Sequence, residues 1–199
     1  TKAELEPSSW YGLALRGPGA SDVEVPAGAV GLAAGWPGVA GLDLLSEGEV
    51  ALAGVPLVDV AALEALRIEC GVPAMGAELT DATIPAEAGQ WLIDASASFT
   101  KGCYTGQELV ARIDSRGGNV PRHLRGVELA GDVAPEPGSP VVIDGDGVGT
   151  VTSVAPRPGG GGSVALAVVR RAVTPPAAGE VVVDGRSVPA TVLALPYES

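Results

Sequence analysis

The chain has 199 residues, of which 46% are hydrophobic, and a formal net charge of -12. That length holds one or two domains with a real core, and the apolar content argues against a disordered chain. The acidic balance argues against broad binding to phosphate backbones, so no direct nucleic-acid partner is expected.

Taken in chain order, Trp10–Gly17 (WYGLALRG) reads as a strand closed by a Gly-Pro-Gly turn. Gly41–Gly48 (GLDLLSEG) alternates as a second strand. Asp59 is placed to cap a helix over Val60–Cys70, with Gly71 as its stop and Pro73 beyond. Val60, Leu63, Leu66 and Cys70 fall at helical spacing, which makes Cys70 a buried small apolar residue. Residues 71–89 have little period and read as an ordered loop. Trp91–Phe99 (WLIDASASF) reads as a strand. Thr105 and Glu108 then form a T-x-x-E capping box for a helix that carries Leu109, Val110 and Ile113 on one side and stops at Gly117-Gly118. Glu108 and Arg112 are four apart, in the favourable order for an ion pair.

The texture changes near Val120-Pro121. Six short strands follow: LRGVELA, SPVVID, GVGTVTSVA, SVALAVVRR, EVVVD and SVPATVLAL. Asp144-Gly145, the Gly159–Gly162 run and Asp184-Gly185 supply turns between them. The glycine run lacks the Lys-Ser/Thr and the following helix of a phosphate loop, so it reads as a hairpin tip. High counts of Gly (29) and Pro (17) agree with many short elements. The expected fold class is α+β, with an α+β part over 1–120 and a small antiparallel β-barrel over 121–199.

The two cysteines, Cys70 and Cys103, have no paired spacing. That speaks against a disulfide framework and against a metal site built from this chain, so no metal ligand is assigned. The first ten residues carry no apolar signal core, and no apolar run approaches a membrane span. The expectation is a cytoplasmic protein with no membrane contact.

Cys103 lies just before a capped helix, and free N–H groups with the positive dipole end there favour a thiolate. Lys101 adds a cation. Lys101, Arg112, Arg116, Arg122 and Arg125 are five of 12 basic residues, and His123, the one histidine, joins them. Against the acidic background this segment points to a small anionic ligand. The alternative is that these arginines pair with acids at a domain junction. A Cys103–His123 catalytic pair is open on spacing alone. Glu69, at the end of the first helix, is either a ligand-facing carboxylate that could accept hydrogen bonds from a polar heterocycle or an ordinary surface acid.

Three segments carry a family resemblance: Leu66–Leu79 (LRIECGVPAMGAEL), Ile84–Gly89 (IPAEAG) and Lys101–Arg112 (KGCYTGQELVAR). They resemble the YgfZ-type folate-binding proteins, relatives of the glycine-cleavage T-protein, an aminomethyltransferase. Gly138–Arg171 resembles the terminal barrel of the same superfamily. The resemblance implies a tetrahydrofolate-binding, partial T-protein-like region followed by a barrel. It implies that Glu69 hydrogen-bonds the pterin, with Tyr104 and Arg112 beside the cofactor. It also implies that Cys103, with Lys101, carries the chemistry that separates the YgfZ branch from true T-proteins. Family members are longer at the N-terminus, and a T-protein's catalytic aspartate would lie in that segment.

The function implied is support of iron–sulfur enzymes, the client partners, and through them of tRNA thiolation. Two other functions stay open. One is a folate-dependent aminomethyl- or methyltransferase of the T-protein type, against which the cysteine motif speaks. The other is a non-catalytic module that binds folate or a partner.

Overall fold

The computed structural model describes residues 8–131, 133–157 and 159–197. Two compact units make up the chain, Thr1–Leu57 and Val58–Ser199. In the first, β1 (Tyr11–Arg16), β2 (Ala29–Ala33) and β3 (Gly41–Ser46) form an antiparallel sheet in the order β1-β3-β2. Leu15, Ala20 and Leu44 are its buried centre, flanked by Leu13, Val23, Leu42, Val50 and Leu52. Arg16 pairs with Asp43 at 2.7 Å and lies 4.4 Å from the centre of the Trp36 ring. Strand β2 was not foreseen, because AVGLA mixes small residues with two exposed ones, Val30 and Leu32.

The second unit opens with α1 (Val60–Glu69). Asp59 caps it by accepting from the Ala62 N–H at 2.7 Å, as its side-chain chemistry dictates. Its buried face differs from the one the spacing predicts. Val60 is 82% exposed, while Ala65, Arg67, Ile68 and Cys70 are buried. Residues 71–89 form the expected loop, ending in a 3-10 turn at Pro85–Ala88. Trp91–Phe99 is not a strand. Gln90–Ser96 is helix α2, held by a Gln90–Asp94 side-chain bond one turn apart, with Ile93 buried. Only one residue of that run is β-branched, so its strand tendency is weak. Helix α3 (Gln107–Asp114) follows and buries none of its residues.

Strands β4 (Arg122–Ala130), β5 (Pro140–Ile143), β6 (Asp146–Pro156), β7 (Gly162–Arg170), β8 (Ala177–Val183) and β9 (Arg186–Leu193) close into a barrel. All neighbours are antiparallel, in the order β4-β7-β6-β5-β8-β9. The expected α+β class and C-terminal barrel are both present. Asp144 (φ 54) with Gly145 (φ 84) makes the tight β5–β6 turn, the left-handed pair that a two-residue hairpin demands.

Alternation explains which residues fill the barrel. Val127, Leu129, Val141, Val151, Ala165, Ala167, Val169, Val181, Ala190 and Val192 point inward and are almost wholly buried. Each large one contributes about 1.5–3 kcal/mol relative to exposure. Ala165 and Ala167 are small because a six-stranded interior is narrow. The outward residues of β7 are buried too. Val164 and Leu166 pack with Leu124 and Ala155 against Ala65 and Ile68 of α1. That double burial is why SVALAVV reads as an unbroken apolar run. Among the described residues, no helix is long and apolar enough to cross a membrane.

Candidate functional site

Two acid–base pairs fix the loop after α1: one joins it to the helix and reaches the barrel through Ser153, and the other joins it to the barrel directly. Arg67 is 8% exposed and Glu78 3%. Arg67 donates to both Glu64 oxygens (2.8 and 2.6 Å), to Ser153 Oγ (2.8 Å), to the Val72 carbonyl and to Glu78 (3.3 Å). Glu78 also accepts from Ser153 Oγ at 2.6 Å and from the Ala74 N–H at 2.9 Å. Burial alone would lower the Arg67 pKa, but hydrogen bonding to Glu64 and the charges of both acids outweigh it and raise it. Gly71 (φ +70) lets the chain leave the helix where a Cβ would stand 2.8 Å from Leu195 Cβ. The second pair is Glu87–Arg122. Glu87, 4% exposed, accepts from Arg122 Nε and Nη2, each at 3.0 Å.

These pairs frame a cleft of about 220 Å³ between the loop and the outer barrel wall. Glu78, Thr80, Thr83, Glu87, Arg122 and Thr152 are its polar lining. Sequence reasoning missed it. Its signal was the spacing of Glu78 and Glu87 opposite Thr152 and Arg122, which only the fold brings together.

The segment before α3 departs from the capping-box expectation. Gly106 is the N-cap, in the left-handed region at φ 86, and no side chain caps the helix. The helix therefore starts at Gln107, and Cys103 lies three residues outside the cap. Its thiol is exposed. Lys101 Nζ stands 5.0 Å from the centre of the Tyr104 ring, within cation–π range. The Tyr104 hydroxyl is buried and has no hydrogen-bond partner among the described residues. Lys101, Cys103 and Tyr104 thus form one local group.

No hydrogen bond, ion pair or ring contact joins the other expected residues to it among the described residues. Arg112 is exposed on α3 and makes no ion pair with Glu108 among the described residues. Glu69 is half-buried at the end of α1, and its backbone carbonyl accepts from the Tyr197 N–H at 2.9 Å. Its carboxylate has no hydrogen-bond or ion-pair partner among the described residues, and it does not line the 220 Å³ cleft. No hydrogen bond joins Cys103 to His123 among those residues. Nor does any group of three or more His, Cys, Asp or Glu side chains there gather to hold a metal ion.

Residues 122–197 match the family model of the glycine cleavage T-protein C-terminal barrel domain. The chain belongs to the glycine-cleavage T-protein superfamily. A chloroplastic protein of Arabidopsis thaliana, named as a candidate transferase, is 36% identical over 155 residues, covering 77% of this chain and 32% of that protein. An aminomethyltransferase of Streptomyces avermitilis is 35% identical over 149 residues, covering 73% of this chain and 39% of its own length. The aminomethyltransferase T of the glycine cleavage system from Bartonella henselae shares the fold, with a TM-score of 0.64 at 19% identity. That likeness covers 87% of this chain and 50% of the Bartonella chain. The chain therefore spans about a third to two fifths of the length of these curated relatives.

Proposed function

We propose that this member of the superfamily is a YgfZ-type tetrahydrofolate-binding protein of the cytoplasm that supports iron–sulfur enzymes, and through them tRNA thiolation. The observation that carries the reading is the Lys101–Tyr104 group. It combines an exposed thiol with an ammonium, two residues earlier in the chain, that rests on the ring of the residue after the cysteine, in the KGCYTGQE string that distinguishes the branch. A structural cysteine would be expected inside, as Cys70 is.

Glu69 suits the folate on chemical grounds. A pterin presents adjacent N–H and amino donors, and a half-buried carboxylate with no partner among the described residues can accept from both. Tyr104 and Arg112 would flank the bound cofactor. Tetrahydrofolate supplies a one-carbon carrier when bound. The protein's own part is to orient the pterin at Glu69 and to present the Cys103 thiol.

The test is titration calorimetry with tetrahydrofolate on the complete chain, comparing wild type with Glu69→Ala and Cys103→Ser. Loss of a charged hydrogen bond costs about 1.5–3 kcal/mol, or roughly tenfold or more in affinity. Glu69→Ala should lose that much. Cys103→Ser should keep folate affinity and lose the ability to restore iron–sulfur enzyme activity in cells lacking the protein. Equal affinities would remove Glu69 from the site, and full restoration by Cys103→Ser would remove the thiol from the function. The names of the relatives favour one second reading, an aminomethyltransferase. Turnover of an aminomethyl donor with tetrahydrofolate by the Cys103→Ser variant would establish that reading instead.

A further inference from the structure

One rim of the barrel is cationic in a chain of net charge -12. On β4, His123 and Arg125 share the pleat face of Val127 and Leu129, which fill the barrel interior. Arg171 follows Val169 with the same parity just past the end of β7, and its N–H bonds the Pro121 carbonyl, which fixes it beside the start of β4. The register pairs His123 with Val169 and Arg122 with Arg170. Arg122, His123, Arg125, Arg170 and Arg171 therefore gather at one end of two adjacent strands.

Among the described residues, the acids nearby do not neutralise them. Glu87 is committed to Arg122 through both oxygens. Asp144 and Asp146 sit at the β5–β6 turn, and β5 lies three strands from β4 in either direction round the barrel. Arg125 is half-buried, yet its hydrogen bond is to the neighbouring Leu124 carbonyl at 3.3 Å and no acid pairs with it among the described residues. A half-buried guanidinium without an acid is costly to hold, because burial removes water from a group that stays charged. Burial accordingly pushes the Arg125 pKa down. Burial, then the charges of Arg125 and Arg171, push His123 down, with Glu87 a weaker opposing influence. At the opposite rim, by contrast, Arg157 is paired with Glu128.

We propose that this rim is an oxyanion-binding site, in which Arg125, Arg171 and His123 take a carboxylate or phosphate group of a ligand. An oxyanion accepts charge-assisted hydrogen bonds from the guanidinium of Arg125, which has no acid partner among the described residues. Its charge also relieves the repulsion among the three side chains. The site is independent of the folate reading, since neither Glu69 nor Cys103 belongs to it.

The single histidine makes the test direct. Proton NMR of the His123 ring follows titrations of the whole chain with sodium sulfate, standing in for a phosphate, and with tri-L-glutamate, at constant ionic strength held with sodium chloride. The expected result is a saturable shift of the ring signals with at least one probe. The histidine titration midpoint should also rise when the probe is bound, because an anion offsets the two arginines. Arg125→Gln and, separately, Arg171→Gln should each weaken binding about tenfold. Arg157→Gln at the far rim should leave it unchanged. Arg171 is exposed, so its variant keeps the test alive if Arg125→Gln fails to fold. Saturation with sulfate alone identifies a phosphate-bearing ligand, and saturation with the peptide alone a carboxylate-bearing one. A linear, unsaturable response to both, or equal affinities in wild type and Arg171→Gln, would overturn the proposal.

Discussion

Replacing Glu78 should loosen the loop that forms one wall of the cleft. The carboxylate accepts from Ser153 Oγ (2.6 Å), the Ala74 N–H (2.9 Å) and, at a longer 3.3 Å, Arg67. Removing one partner of a buried pair costs about 3–5 kcal/mol when the other charge is orphaned. Arg67 is not orphaned here, since Glu64, Ser153 and the Val72 carbonyl still hold it. What Glu78→Ala leaves unmet are the Ala74 N–H and the buried Ser153 hydroxyl, together with a small void. The expected loss is therefore about 2–3 kcal/mol, below the full figure. Glu78→Gln keeps an acceptor for Ala74 and Ser153 and removes only the charge, so it should lose about 1 kcal/mol.

The assay is urea unfolding. The two compact units need not unfold together, so the second is followed through Trp91 in a Trp10→Phe, Trp36→Phe background. With a slope of about 1–3 kcal/mol/M, Glu78→Ala should lower the midpoint by about 1 M and Glu78→Gln by about half that. Hydrogen exchange should quicken at Ala74 in the alanine variant. If both variants unfold with wild-type midpoints, the Arg67–Glu78–Ser153 cluster does not clamp the loop. If they fall equally, charge rather than hydrogen bonding holds it.

The remaining expectations are simpler. Gly126→Ala would place a Cβ 2.8–3.0 Å from the Tyr197 ring, so thermal unfolding should show a loss of about 1–3 kcal/mol; an unchanged melting temperature would mean the ring is not seated there. His123 is held below its ordinary 6.5, so the folded state binds fewer protons than the unfolded one and stability should fall as pH drops below about 6.5. Glu64, lowered chiefly by its hydrogen bond from Arg67, adds a second loss below about 4.5. The urea midpoint should thus be lower at pH 5.5 than at 7.5, and His123→Gln should flatten that difference; a midpoint that rises on acidification contradicts the assignment. Iodoacetamide should label exposed Cys103 on the folded protein and reach buried Cys70 only after denaturation, as read by peptide mass spectrometry; the reverse order would sink the working-thiol reading.

The barrel was legible because its signals are local. Each strand alternates or runs apolar for a few residues, and Asp-Gly pairs mark two of the turns. The helix at Val60–Glu69 was legible from its cap and stop. Its buried face was not. The face is set by where the barrel lies, and the buried Arg67 counts as polar in any periodicity. Gln90–Ser96 was misread because seven residues are too short for a helical period to declare itself. The capping box failed for a conformational reason. Gly106 adopts φ 86, which moves the helix start past Thr105. The cleft was invisible because its two walls are contributed by residues up to 91 positions apart, from Ala77 to Val168.

The motif residues divide according to whether the fold uses up their bonding capacity. Arg67, Glu78, Glu87 and Arg122 satisfy one another or the barrel, and each has a structural reason to be where it is. Glu87–Arg122 resolves part of the cationic cluster in favour of architecture, since that arginine's charge is answered within the chain. Glu69 and Arg125 are half-buried, and no acid–base pair forms at either among the described residues. The Tyr104 hydroxyl is buried with no partner there. Shielding a charged or polar group from water without giving it a partner costs free energy that the fold does not recover. A ligand that supplies the missing partner recovers it on binding. A carboxylate calls for a donor and a guanidinium for an acceptor, so the two groups call for opposite ends of a ligand, or for two ligands. Titrating folate and the anion probe each against both Glu69→Ala and Arg125→Gln separates those cases, because a shared ligand would weaken in both variants and separate ligands in one each.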